Sequence, residues 1–114
     1  MIKMVKLEIF TPPEALPALQ AALAEAGAGQ IGNYDHCLSI SRVQGTWRPL
    51  PGSTPYSGEI GRIQQAEELK LEVNCPVDLV PKALKAIRRV HPYEEPVINV
   101  IPLFPYSREE EPEK

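Results

Sequence analysis

The chain has 114 residues, 43% of them hydrophobic and 24% charged, with a formal net charge of −3. That size bounds it to one domain able to bury a core without metal or disulfide staples. The mild acidity excludes a basic footprint for nucleic acid or an anionic membrane, and no run approaches the ~18 apolar residues of a membrane span.

The opening MIKMVKLEIF lacks the apolar core of a secretory signal, and Cys37 and Cys75 are the only cysteines. Both facts lead to the expectation of a reduced, cytoplasmic protein. Over residues 3–10, Val5, Leu7 and Ile9 alternate with Lys6 and Glu8, which predicts a half-buried strand. Thr11-Pro12-Pro13-Glu14 follows, a Thr three residues before a Glu, and predicts a capped helix start. Leu16, Leu19, Leu23 and Ala26 recur at helical spacing up to Gly27. Pro17 requires either a start near it or a bent first turn.

Residues 34–43 alternate again, with Tyr34, His36, Leu38 and Ile40 on one side and Cys37 on the other. They predict a second strand with a partly buried His36. Residues 44–64 hold four glycines and three prolines and predict a long loop, a feature that tends to serve function or a partner. A third strand is predicted over 66–75, with Leu69, Leu71, Val73 and Cys75 inward and Glu68, Lys70 and Glu72 outward. A second helix spans about 78–90, striped by Val80, Leu84, Ile87 and Val90 and ended by Pro92. Residues 97–104 predict the fourth strand. The domain thus covers 1–105, and 106–114 form an acidic flexible tail.

The order β-α-β-β-α-β predicts an α+β, ferredoxin-like fold. Its antiparallel sheet has order 4-1-3-2 with both helices on one face. The other face meets water or a polar subunit contact.

Gly27, Gly29 and Gly32 spell G-x-G-x-x-G, the pattern of a phosphate-binding turn. A dinucleotide site needs those glycines after a strand and before a helix, so that amide groups meet the phosphate. Here they close a helix and lead into a strand. The carbonyl end is presented, and it repels phosphate. The pattern predicts a tight turn with positive φ instead.

Four blocks, GAGQIGNYDHC, GTWRPLPGSTPYSGEIGRI, EELKLEV and HPYEEP, together resemble the insertion domain of the NIF-three-like proteins. Those are dinuclear-metal proteins often labelled GTP cyclohydrolase type 2. The resemblance spans residues 3 to about 104 and implies a CutA- and PII-like subunit that assembles as a homotrimer. HPYEEP also resembles the corresponding segment of CutA proteins. The full-length relatives hold their metals in domains flanking the insertion. With only His36 and His91 present, the resemblance implies a stand-alone module without their hydrolase chemistry.

Candidate site residues fall in two segments. The loop offers Trp47, Arg48 and Tyr56, residue types enriched in recognition surfaces, and the PII likeness puts a ligand-responsive loop in this slot. Packing against a neighbouring subunit is the competing role. His91, Tyr93 and Glu94 lie in HPYEEP. That segment is read either as a rigid turn, with His91 capping helix carbonyls and Tyr93 on the core, or as a ligand contact. His91 and Glu94 are also the candidate ligands for a divalent metal such as copper or zinc, although two ligands do not close a tetrahedral site. Three functions follow: a non-catalytic homotrimeric module for a small-molecule or protein partner, a CutA-like metal-binding protein, or a hydrolase using Glu94 and Glu95 in a subunit cleft.

Overall fold

The structure, a computed structural model, describes residues 2–104. The tail expected over 106–114 lies outside the described residues. Strand β1 (Met4–Thr11) alternates half-buried and buried side chains along its whole length, as a strand with one face on a core must. It lies between β3 (Gln64–Pro76) and β4 (Ile98–Pro102), and β3 pairs in turn with β2 (Leu38–Trp47), every pairing antiparallel. The order β2-β3-β1-β4 is the expected 4-1-3-2 counted from the other edge.

Helices α1 (Leu16–Glu25) and α2 (Val80–Val90) cover one face of the sheet. They bury Leu19, Leu23, Ala83 and Ile87 with Leu7, Ile9, Leu71 and Val73 in a single cluster. Each helix is entered through a short 3-10 turn, Pro13–Ala15 or Val77–Leu79, and carries a proline, Pro17 or Pro81, at its second position. A proline there sacrifices no intrahelical bond. The capping box expected at Thr11 does not form. Thr11 is still paired with Leu69 in the sheet, and its hydroxyl donates to the Pro12 carbonyl at 3.1 Å. Two consecutive prolines leave that turn short of amides to cap.

The three glycines do what their position dictates. The Ala28 amide donates to Leu23 O at 3.0 Å and the Gly27 amide to Ala24 O at 3.1 Å, the paired bonds of a Schellman helix end with Gly27 left-handed at φ 91°. Gly29, at φ 80°, then docks on the sheet, its amide donating to Asn74 O at 2.8 Å. A Cβ at Gly29 would stand 2.9 Å from the Cys37 carbonyl oxygen.

The second strand starts later than expected. Tyr34 pairs back onto Ile31 in an isolated bridge, and His36 adopts a left-handed φ of 57°. His36 is therefore exposed and does not share a strand face with Leu38 and Ile40. Histidine is among the side chains that tolerate this conformation, and its Nδ1 lies 2.9 Å from an Asp35 carboxylate oxygen. In compensation β2 runs on through Gly45 to Trp47, which pairs with Gln64, so the loop narrows to residues 48–63.

Because β1 ends at Thr11 opposite Leu69, the segments 43–47 and 64–68 leave the sheet as a two-stranded ribbon. It gives the molecule an elongated outline of 56 × 26 × 25 Å.

Candidate functional site

The cavity lies where that ribbon departs. Loop 48–63 does not trail into solvent. It folds back over the sheet end, fastened to the rest of the chain at three points and closed by a bond within itself. The Trp47 indole donates to Ser57 O at 3.2 Å, and the Gly61 amide to Pro49 O at 2.7 Å. The Thr54 amide donates to both Glu94 carboxylate oxygens at 2.8 and 3.2 Å, and the Tyr56 hydroxyl to Glu14 at 2.7 Å. The last bond lowers the Glu14 carboxyl pKa and raises that of the Tyr56 phenol. Between loop, ribbon and the 91–97 segment is a cavity of about 580 Å³, within the range typical of small-molecule sites.

It is lined by Phe10 and Glu68 from the sheet, Trp47 from the end of β2, Tyr56 from the loop, and Tyr93 and Glu94 from the 91–97 segment. Glu68 departs from expectation. It lies on the sheet face opposite the helices, as predicted, but only 9% of it is exposed, and it accepts a 2.7 Å hydrogen bond from the Tyr93 hydroxyl. Burial, and then this bond to a carboxylate, push the Tyr93 phenol far above its ordinary pKa. Tyr93 is thereby a fixed donor. Its ring stands 5.8 Å from Tyr56 and 4.9 Å from His91, centroid to centroid.

His91 is buried beside Tyr93. Its ring does not cap helix carbonyls. It reaches β1, where Nε2 lies 2.7 Å from Phe10 O, and Nδ1 accepts the Tyr93 amide at 3.1 Å. Those partners require the neutral ring with its proton on Nε2. Burial lowers its pKa further from protonation at neutral pH, although the Phe10 bond opposes the shift. Both ring nitrogens are occupied, so a metal at His91 would have to break one of these bonds. Among the described residues no three His, Cys, Asp or Glu side chains cluster as metal ligands would.

The structure thus brings Trp47, Arg48, Tyr56, Tyr93 and Glu94 around one cavity, with His91 as the strut behind Tyr93. Arg48 is exposed at the rim and makes no ion pair among the described residues. Sequence reasoning missed Glu68 and Phe10. One signal for Glu68 was present: a glycine inside a strand marks close approach by another group, and Gly45 is that glycine.

No family model matches the chain. It is 37% identical over 98 residues to a GTP cyclohydrolase 1 type 2 homolog of Bacillus subtilis, spanning 86% of this chain and 26% of that protein. It is 40% identical over 100 residues to the protein of the same name in Mycobacterium leprae, again spanning 26% of it. Among solved structures, a Bacillus cereus protein related to NIF3 superposes with a TM-score of 0.78 at 37% identity, over 90% of this chain and 26% of that one. The CutA1 protein of Thermus thermophilus superposes at 0.67 with 23% identity, covering 93% of this chain and 89% of its own, which shows a shared fold alone. No helix among the described residues is long and apolar enough to cross a membrane. The chain is therefore homologous, over nearly all its length, to about one quarter of the NIF3-related proteins, and that quarter has the fold of CutA.

Proposed function

We propose that this chain is a non-catalytic binding module of the NIF3 insertion type, working as a homotrimer in the cytoplasm and taking a small ligand in the cavity under loop 48–63. The observation that carries the reading is Glu68, a carboxylate sunk into a cavity that four separate parts of the chain converge to build. Tyr93 satisfies one Glu68 oxygen, and no side-chain oxygen among the described residues is buried without a partner, so the second oxygen keeps an accessible surface on which a ligand can bind. The enzyme label of the longer relatives belongs to proteins of which this chain spans about a quarter.

Self-association is supported by the ribbon. Residues 39–42 of the edge strand β2 are exposed on both faces, and beyond them the ribbon has two strands alone; such ribbons are marginal without a further layer. Sedimentation equilibrium is expected to give three times the 12.7 kDa subunit mass. A clean monomer at micromolar concentration overturns the trimer. Fluorescence of Trp47, the sole tryptophan, tests the ligand site: a saturable response to a small molecule, lost in Tyr93→Ala, is expected.

The CutA-like alternative, copper or zinc held by His91 and Glu94, draws on the shared fold. Calorimetry with each metal on the wild type and on His91→Ala decides it, and equal heats from the two proteins remove His91 from the role.

A further inference from the structure

The hydrogen-bonding edges of the cavity are already used by the protein itself. The Trp47 indole N–H goes to Ser57 O, the Tyr56 hydroxyl to Glu14 and the Tyr93 hydroxyl to Glu68. With those groups engaged, what these side chains offer a ligand is aromatic surface on the cavity lining, and ring faces carry negative electrostatic potential. The ionisable lining points the same way. Glu68, Glu94 and Glu95 contribute carboxylates, and the one cation, Arg48, is exposed at the rim.

Glu68 sharpens the argument. The Tyr93 bond occupies Oε2, while Oε1 lies over Gly45 and has no hydrogen-bond partner among the described residues. The missing side chain of Gly45 makes room for that oxygen, and both residues line the cavity. A carboxylate oxygen so placed accepts a charged donor better than anything else, and ring faces around it favour the same sign of charge.

We infer that the cavity selects an organic cation, an ammonium or guanidinium group on a short alkyl stem, with its charge on Glu68 and its stem against the aromatic lining of Trp47, Tyr56 and Tyr93. The inference rests on the ligand-binding reading above and narrows it. A nucleoside triphosphate would meet three carboxylates, aromatic side chains and one exposed arginine in this cavity.

The test is titration of the full chain with agmatine and cadaverine as cations and with adipate and GTP as anions, read by Trp47 fluorescence and by calorimetry. Agmatine is expected to saturate and the anions to give no response. Glu68→Gln, confirmed folded by circular dichroism, is expected to weaken agmatine about tenfold or more, as loss of a charge-assisted contact should. If that variant does not fold, the salt dependence of the wild type serves instead, with agmatine binding about threefold weaker or more at high salt. Equal binding by wild type and Glu68→Gln, salt-independent binding, or tighter binding of an anion overturns the cation assignment. Saturation by adipate or GTP alone would leave the ligand-binding reading standing without it, and silence from all four probes removes both.

Discussion

The Glu68 carboxylate occupies the space that a Cβ would fill at Gly45. The two residues sit on neighbouring strands of the ribbon, diagonal to one another across the pair Val43–Glu68. The absence of one side chain therefore sets the position of another, and through the 2.7 Å bond it sets Tyr93 as well. Gly45→Ala is expected to swing Glu68 out of the cavity and break the Tyr93 bond. Since the obstructing atoms are the tip of a flexible side chain, the cost should be about 1 kcal/mol, that of one hydrogen bond. In a double-mutant cycle with Glu68→Ala, measured by urea denaturation, most of that cost should vanish. Additive effects would show that the two residues are not coupled.

His91 makes stability depend on pH. Its folded pKa lies below the ordinary 6.5 because the ring is buried, so between the two values the unfolded chain binds a proton that the folded chain refuses. Its contribution is thus complete above about pH 6.5 and is lost as pH falls towards the folded pKa. Denaturation midpoints should decline from pH 7.5 to 5.5 in the wild type, above the range where carboxylates titrate. The decline should flatten in His91→Asn. An unchanged slope in that variant would assign the dependence to another group.

Loop 48–63 is pinned to the body by Glu94 and Glu14 through Thr54 and Tyr56. These bonds are exposed, so cutting them should leave global stability almost intact while freeing the loop. Glu94→Ala combined with Tyr56→Phe is expected to speed amide exchange across the loop severalfold, with β1 and β3 unaffected. Uniform acceleration over the whole chain would mean that the pins hold the fold and not the loop.

The glycine turn separates conformational cost from steric cost. Gly29 and Gly32 both have positive φ, but a Cβ meets the Cys37 backbone at Gly29 and open space at Gly32. Gly32→Ala should cost about 1 kcal/mol for the left-handed backbone alone. Gly29→Ala should cost more, because a backbone carbonyl cannot step aside as a side chain can. Thermal denaturation of the two variants checks the order, and equal losses would contradict the crowding at Gly29.

The element order, the sheet topology and the core positions Leu7, Ile9, Leu71 and Val73 were legible from periodicity, because burial on one face imposes a repeat of two on strands and of about 3.6 on helices. The helix-closing role of Gly27 was legible too, since a helix end has local requirements that a few neighbouring residues meet. Homology of the four blocks was readable in the same local way.

The start of β2 was not, because Tyr34 and His36 obey an alternating pattern while their backbones turn away from it. Nor did the pattern reveal that Glu68, an outward residue of an ordinary amphipathic strand, is enclosed. Alternation states which face a side chain takes, and it is silent on what a distant loop lays across that face. The sequence by itself determined the strands, helices, their order and the family likeness, since these follow from contacts repeated along the chain. Only the tertiary structure decided the cavity: Glu68, Tyr93, Tyr56 and Trp47 meet there through contacts 10 to 42 residues apart in sequence, and no local period encodes such meetings.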